Sequence, residues 1–204
     1  MKFENTQVFN IEGAIRGMKF PKKNTSFTTG DEIDTRDLLV ANKLVRAGIE
    51  DNAAHCKFLR QILISVDITA PRYWWDEFDT YKVGTTADSE STMHKILKDA
   101  DNLTLANFQV DKPFEGYIQQ EINTLKAIAK DKRFTEIEKL RGVKQILPES
   151  FLQKRHITMN YEVVRNMVKQ RKHHRLTEWS VDFVEWAKTL PYANEFLLGR
   201  GETA

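Results

Sequence analysis

The stretch NYEVVRNMVKQRKHHR, which runs from Asn160 to Arg175, combines an apolar stripe with a strongly basic end. The stripe consists of Val163, Val164, Met167 and Val168. At about 100° per residue, Asn160 and Arg171 fall on the same side of a helix as this stripe, and Asn166 lies to one side of it. The pattern therefore predicts a helix over residues 160–172 whose two polar ends flank a buried face, where a cleft could meet the helix.

The basic end of this helix allows two interpretations. Arginine offers a planar fork suited to a phosphate or a pair of carbonyl groups, and asparagine can both donate to and accept from a heterocycle. Cations at a helix C-terminus also favour the helix dipole, and most runs of charge lie in solvent. Spacing alone leaves open whether Arg171 contacts a ligand or water.

A second stretch, RYWWDEFDTYKVGTTADSEST from Arg72 to Thr92, joins an aromatic and acidic segment to one rich in small polar residues. Pro71 suits the first turn of a helix, so the aromatic part predicts a helix over residues 72–81. Arg72 and Asp76 lie four residues apart and can pair on the surface of that helix.

The polar part of the same stretch, residues 84–92, predicts a loop. Gly84, Thr85 and Thr86 could bind an anion through their backbone N–H groups, as short glycine-containing loops do in other proteins. The same composition is also common in plain connections, so both interpretations stay open.

The remaining segments predict a mostly helical chain with a minor sheet. Capping residues, apolar spacing and Gly or Pro stops indicate helices at 34–48, 91–99, 114–131, 134–146 and 179–189. We expect a helix that runs into a strand over 55–69, a short strand or irregular element over 1–20 and a loop over 21–34. The fold class is therefore α+β, and we expect a single domain over residues 1–204.

Composition indicates which classes of partner and which cellular compartment fit this chain. The chain has 31 Lys and Arg against 29 Asp and Glu, a net charge of +2, which gives no support for a dedicated nucleic-acid binder. Cys56 is the only cysteine, so no intramolecular disulfide can form, and a reducing cytoplasmic compartment fits. No apolar run approaches the ~20 residues needed to span a bilayer.

Histidines do not form a metal-binding pattern in this sequence. His173 and His174 are adjacent, so they cannot share one face of a helix, and metal sites normally add a spaced Cys or acidic ligand. His55 precedes Cys56, but the partners of a catalytic dyad meet in space and not by adjacency. We expect no metal, and a helix-start His55 beside a buried Cys56.

Together these segments resemble the flavin-dependent thymidylate synthases over roughly residues 45–190. That family carries a histidine before a buried strand, and here His55 precedes the apolar run that ends at Ala70. In the C-terminal motif of the family an Asn is followed by an amide or His six residues on and an Arg eleven residues on. Asn160, Asn166 and Arg171 match those offsets.

The resemblance implies a homotetramer that binds FAD at its subunit junctions and acts on a pyrimidine nucleotide such as dUMP. His55, Asn160 and Asn166 would be contacts of the flavin. Arg171 would hold the uracil base and polarise it for methyl transfer, which makes it the candidate catalytic residue. The residues that the resemblance assigns to the nucleotide are Arg72, Thr85, Thr86 and Arg171.

Several basic positions of the family are acidic or neutral here. Residues 76–78, Asp-Glu-Phe, replace an Arg-His-Arg signature, Glu162 replaces a flavin-side arginine, and Asp88 replaces an arginine near the nucleotide phosphate. Carboxylates would repel a diphosphate. Two functions therefore stay open: FAD-dependent methyl transfer or reduction on a pyrimidine nucleotide, and a non-catalytic member of the fold that binds a nucleotide or a protein partner.

Overall fold

Four strands, among the residues that the structure describes, form one antiparallel sheet in the order β1-β2-β4-β3. The structure is a computed structural model and describes residues 1–21, 33–50, 54–81 and 83–198. The strands are β1 (Lys2–Phe9), β2 (Leu63–Pro71), β3 (Thr85–Ser89) and β4 (Leu152–Asn160). This small sheet in a mostly helical chain confirms the predicted α+β fold class.

Helices make up most of the rest of the described chain. The α-helices are α1 (Ile11–Lys19), α2 (Thr35–Glu50), α3 (Arg72–Phe78), α4 (Thr92–Asp99), α5 (Glu115–Lys130), α6 (Glu136–Ile146), α7 (Tyr161–Arg171), α8 (Val184–Lys188) and α9 (Ala193–Phe196). A 3-10 helix spans Ala54–Gln61, a π-helix spans Glu178–Phe183, and short 3-10 turns span Ala100–Asn102, Leu105–Asn107 and Lys112–Phe114. No helix of the described chain is long and apolar enough to cross a bilayer.

The chain divides into two compact units, each assembled from segments that are distant in sequence. Unit 1 comprises Met1–Lys2, Ile68–Thr80 and Asp88–Arg155. Unit 2 comprises the described parts of Phe3–Asp67, Tyr81–Ala87 and His156–Ala204. The single domain over residues 1–204 stays a prediction.

β2 has one buried face and one accessible face. Ile64, Val66 and Ile68 are fully buried, whereas the alternating Ser65 and Asp67 are only partly buried. Successive side chains of a strand point to opposite faces, so the β-branched residues fall on the core side and the polar residues on the other. The sequence of β2 thus determines which side of the sheet packs against the helices.

Unit 1 has an apolar core of its own beneath α4, α5 and α6. Its buried members are Ile96, Leu103, Phe108, Ile122, Leu125, Val143 and Leu147. α6 begins with a capping box, in which the Thr135 side chain accepts from the Glu138 backbone N–H and the Glu138 side chain accepts from the Thr135 backbone N–H. This reciprocal capping pairs two donors that a helix start otherwise leaves unpaired.

Unit 2 packs around α7. Val164 and Met167 are fully buried on this helix, and Trp179 and Phe183 of the π-helix are fully buried as well. Tyr161 begins α7 at full burial, and its hydroxyl donates to the Pro191 carbonyl at 2.9 Å. Burial raises the pKa of the Tyr161 phenol, so this hydroxyl stays a neutral donor.

The predicted helices over 34–48, 72–81, 91–99, 114–131, 134–146, 160–172 and 179–189 are confirmed, with ends that differ by a few residues. The helix that runs into a strand over 55–69 is also confirmed. Residues 1–20 contain the expected strand but also α1, which was not expected. Most of the loop predicted over 21–34 lies outside the described residues.

Two strands were missed, and both are poor in apolar residues. The loop predicted over 84–92 is wrong, because residues Thr85–Ser89 form β3. Apart from the partly buried Thr85, the side chains of β3 are exposed, so no apolar alternation marks it. In β4, Ile157 and Met159 are the buried residues, since its first half is polar. β3 therefore has no apolar alternation, and in β4 the buried alternation is limited to two residues near its C-terminal end.

We predict that Ile122→Ala lowers the free energy of unfolding by about 3 kcal/mol, because it removes a fully buried side chain and leaves a cavity. The matched control is Ile137→Ala on α6, whose side chain is 61% exposed. Urea denaturation followed by circular dichroism measures both. Equal losses for the two variants would contradict the assigned core of unit 1.

Candidate functional site

Asn160 joins β4 directly to α7. Its side-chain Oδ1 accepts a hydrogen bond from the Val163 backbone N–H at 3.0 Å, with the Asn160 backbone in an extended conformation. This is N-capping, a role for which asparagine is among the best residues. The side-chain carbonyl oxygen of Asn160 is therefore committed to the helix cap, and the amide nitrogen is the polar group of this side chain that the cap does not use.

Gly84 lies against this capped end of α7. Its φ is +83°, in the region that favours glycine. A Cβ at this position would come within 2.9 Å of Val163 Cγ2 and 3.1 Å of Asn160 Nδ2. The chain after Tyr81 can approach the start of α7 because residue 84 has no side chain.

Arg171 is fixed at the other end of α7 by two aromatic residues. Its Nε donates to the Tyr81 hydroxyl at 2.9 Å, and that hydroxyl donates to Gln170 Oε1 at 2.9 Å. The guanidinium carbon lies 4.9 Å from the centre of the Trp179 ring and 5.6 Å from that of Tyr81. A half-buried guanidinium that is hydrogen-bonded and stacked in this way is a pre-oriented cation.

Tyr81 and Gly84 together place a short segment alongside α7. Tyr81 contacts the C-terminal end of the helix and Gly84 contacts the N-terminal end. The Thr85 hydroxyl donates to the Tyr81 carbonyl at 2.8 Å and closes the turn between them. We call residues 81–85 the strap; Lys82 within it lies outside the described residues. The structure thus brings Asn160, Thr85 and Arg171 to one face of unit 2.

His55 and Asn166 flank a buried contact between the 3-10 helix Ala54–Gln61 and α7. The Arg165 guanidinium donates to Cys56 Sγ at 3.6 Å and to the Val45 carbonyl at 3.0 Å. Cys56 and Arg165 are buried, whereas their chain neighbours His55 and Asn166 are exposed. Two of the three predicted flavin contacts therefore present their polar groups to solvent beside the same contact.

Glu162, which stands where the family pattern has an arginine, forms an ion pair with Arg60. Arg60 donates to both oxygens of the Glu162 carboxylate, and the Nη2–Oε1 distance is 3.1 Å. This hydrogen bonding raises the pKa of the Arg60 guanidinium above its ordinary value. The pair leaves no net charge at the first turn of α7.

Arg72 and Thr86 are not brought to the strap. Arg72 belongs to unit 1, where its guanidinium contacts Glu149 Oε1 at 3.0 Å and the Leu147 carbonyl at 3.4 Å. The predicted surface pair with Asp76 is thus not the pair that forms. Thr86 follows Thr85 in β3, so its exposed side chain points to the opposite face of the sheet.

The altered signature segment splits into exposed and buried residues. Asp76 is exposed on α3, whereas Phe78 is buried and stacks against Trp74 with ring centroids 5.2 Å apart. Phe78 therefore packs with the tryptophans of α3. Within the described chain, no group of three or more His, Cys, Asp or Glu side chains is placed to hold a metal ion.

A cavity in unit 1 was not predicted from the sequence. Its volume is about 300 Å³, within the range of small-molecule sites, and it lies at the start of α4. The residues that give it its polar and aromatic character are Glu90, Thr92, Lys95, Asp99, Asn102 and Phe151. The polar run that ends at Thr92 was visible in the sequence, but its partners on the far side of the cavity come from β4 and could not be inferred.

Comparison with known proteins assigns the fold. The chain has the fold of the flavin-dependent thymidylate synthases. One similar structure is the flavin-dependent thymidylate synthase ThyX from Helicobacter pylori complexed with FAD and dUMP, at 14% identity and a TM-score of 0.75 over 97% of both chains. A second structure of that enzyme, also with FAD and dUMP, gives 14% identity and a TM-score of 0.76 over 99% of this chain and 100% of that chain.

Sequence comparison adds nothing to this assignment. No protein-family model matches the chain, and no curated protein sequence matches it significantly. At 14% identity, the likeness to the two structures establishes the fold and leaves the chemistry to be argued from the residues of this chain.

We predict that Gly84→Ala lowers the free energy of unfolding by about 2 kcal/mol, because alanine is strained at positive φ and its Cβ would press on Val163. The control is Gly116→Ala in α5, where an added Cβ meets nothing within 4 Å. Thermal melts compare the two variants. If Gly84→Ala proves as stable as wild type, the strap does not lie as closely against α7 as described.

Proposed function

We propose that this chain binds a pyrimidine nucleotide such as dUMP with Arg171 and carries out FAD-dependent methyl transfer or reduction on it. The observation that carries this proposal is the fixed guanidinium of Arg171, hydrogen-bonded to Tyr81 and stacked on Trp179. An arginine that is hydrogen-bonded to one aromatic residue and stacked on another is held in one orientation before a ligand arrives. The homotetramer implied by the family resemblance and the cytoplasmic location favoured by the single cysteine are part of the same proposal.

Arg171 is suited to stabilise charge on a pyrimidine ring. When a ring carbon is attacked or reduced, negative charge develops on a carbonyl oxygen of the base. A cation held in place beforehand stabilises that charge without reorganising, and its effect is larger where water is partly excluded. The half-buried position of Arg171, with Tyr81 fixing its Nε, supplies both conditions.

The residues proposed to hold the flavin suit its ring system. His55 and Asn166 present exposed imidazole and amide groups, and Asn160 offers its amide nitrogen beside the cap. Lys57 and Lys169 are exposed on the same two helices and provide positive charge for a diphosphate. When bound, FAD would supply the redox chemistry, while these side chains bind and orient it.

The sugar and phosphate of the nucleotide need partners of their own besides Arg171. Thr85, Thr86 and Arg72 are the residues that the sequence resemblance assigns to them, although Arg72 would first have to leave Glu149.

The second candidate function is a non-catalytic protein of this fold that binds a nucleotide or a protein partner. It is favoured by the signature segment, because Asp-Glu-Phe at residues 76–78 supplies no cation where the family carries Arg-His-Arg. Under this alternative Arg171 still binds a nucleotide, but no flavin is retained. Flavin binding is thus the property that separates the two functions.

We predict that Arg171→Ala weakens dUMP binding by about tenfold or more, because a charge-assisted hydrogen bond to the base is lost. Isothermal titration calorimetry measures the affinity. Arg175→Ala is the matched control, since Arg175 is an exposed arginine of the same basic run, and its affinity should equal that of wild type. Equal weakening in both variants would reduce the role of Arg171 to general electrostatic attraction.

We also predict that Tyr81→Phe weakens dUMP binding by roughly fivefold, since phenylalanine keeps the ring but removes the acceptor that orients Arg171. The control is Tyr117→Phe, whose side chain is 69% exposed on α5. Affinities from the same calorimetric titration should fall for Tyr81→Phe alone. An unchanged affinity in Tyr81→Phe would mean that the stacking on Trp179 is enough to position the guanidinium.

A further inference from the structure

A serine, a histidine and an aspartate are linked in a chain of hydrogen bonds on the accessible face of the sheet in unit 2. The Ser65 hydroxyl lies 3.2 Å from His156 Nε2, and His156 Nδ1 lies 2.7 Å from Asp67 Oδ1. Asn5 donates from its side-chain amide to the other oxygen of Asp67 at 2.8 Å. None of these residues belongs to the site at the strap.

The strands place these side chains together by register. Ser65 and Asp67 are two residues apart in β2, so both point away from the buried face that carries Val66. His156 lies in β4, the strand next to β2, on the side opposite the fully buried Ile157. The arrangement therefore follows from sheet geometry and does not depend on the conformation of a loop.

The hydrogen bonds determine the tautomer of the imidazole. An ionised carboxylate accepts only, so Nδ1 of His156 carries the proton that is donated to Asp67. In the neutral ring Nε2 is then an acceptor, and the Ser65 hydroxyl is the donor that faces it. This is the protonation pattern in which a histidine can remove a proton from a serine.

Asn5, which donates to Asp67, has an unusual backbone conformation. Its φ is +53°, in the left-handed region that costs energy for a residue other than glycine, and it occurs within β1. In this conformation the Asn5 amide reaches Asp67 and fixes the carboxylate. Residues in sparsely populated backbone conformations cluster at functional sites, and Asn is among the residues that adopt this one most readily.

We propose that Ser65 is an activated nucleophile, with His156 as its general base and Asp67 as the group that orients His156, and that it hydrolyses small carboxylic esters. The neighbouring Leu63, 43% exposed on the same face, offers an apolar contact for a short acyl group. Because the face is open, the chemistry fits small activated esters and not a large enclosed substrate.

The reaction balances without a cofactor. Ser65 Oγ bonds to the ester carbonyl carbon while its proton moves to His156 Nε2. The bond from that carbon to the alcohol oxygen then breaks, and the alcohol leaves with the proton from His156. Water adds to the acyl-serine in the same manner, releasing the carboxylic acid and restoring the Ser65 hydroxyl.

The test is covalent labelling of the full-length protein with a fluorophosphonate, in which Ser65 Oγ bonds to phosphorus and fluoride leaves. Intact mass and peptide mapping locate the adduct, and turnover of p-nitrophenyl acetate is measured alongside. We expect a single adduct on Ser65, no adduct in Ser65→Ala, and wild-type labelling in the control Ser89→Ala, another strand serine with an exposed side chain.

The roles of the other two residues are tested by rate. His156→Ala should label about 100-fold more slowly and regain rate on addition of imidazole, which a purely structural histidine would not show. Asp67→Asn should slow labelling by about tenfold or more, because the tautomer is no longer fixed. Melting curves confirm that each variant is folded. An unlabelled Ser65, or equal labelling rates in wild type and His156→Ala, would overturn the proposal.

Discussion

The close approach of the strap to α7 is the constraint on which the candidate site depends. Gly84 permits it, because any larger residue would collide with Val163 and with the capping Asn160. With the strap in place, Tyr81 reaches the far end of the helix and receives the hydrogen bond of Arg171. The absence of a side chain at Gly84 thus allows the strap to contact both the capping Asn160 and, through Tyr81, the guanidinium of Arg171.

The fold could be predicted from the sequence further than the site could. Apolar periodicity marked the helices and the buried run of β2, and the spacing from Asn160 to Arg171 indicated the family resemblance. β3 and β4 were missed because their side chains are mostly polar and lack a sustained apolar alternation. For the site, spacing placed Arg171 on the side of the apolar stripe and left open whether it contacts a ligand or water. It could not reveal Tyr81 and Trp179 as its partners, since those contacts join segments far apart in sequence.

The residues that replace the family's basic side chains leave less uncompensated negative charge than the sequence pattern indicated. Glu162 is neutralised by Arg60, and Phe78 takes part in the core instead of facing a ligand. The chain therefore lacks cations at the positions where the family has them, but only some of these positions carry a carboxylate without a neighbouring cation. The Ser65, His156 and Asp67 chain lies on another surface and involves none of these positions, so the two proposals can succeed or fail independently.

The central claim is that this chain is a flavoprotein of the thymidylate synthase type, and the visible absorption spectrum of the purified protein tests it most directly. Spectra are recorded before and after addition of FAD and removal of the unbound cofactor. The account predicts flavin bands that remain with the protein and change when dUMP is added. A colourless protein that does not retain FAD would contradict it and leave the non-catalytic alternative.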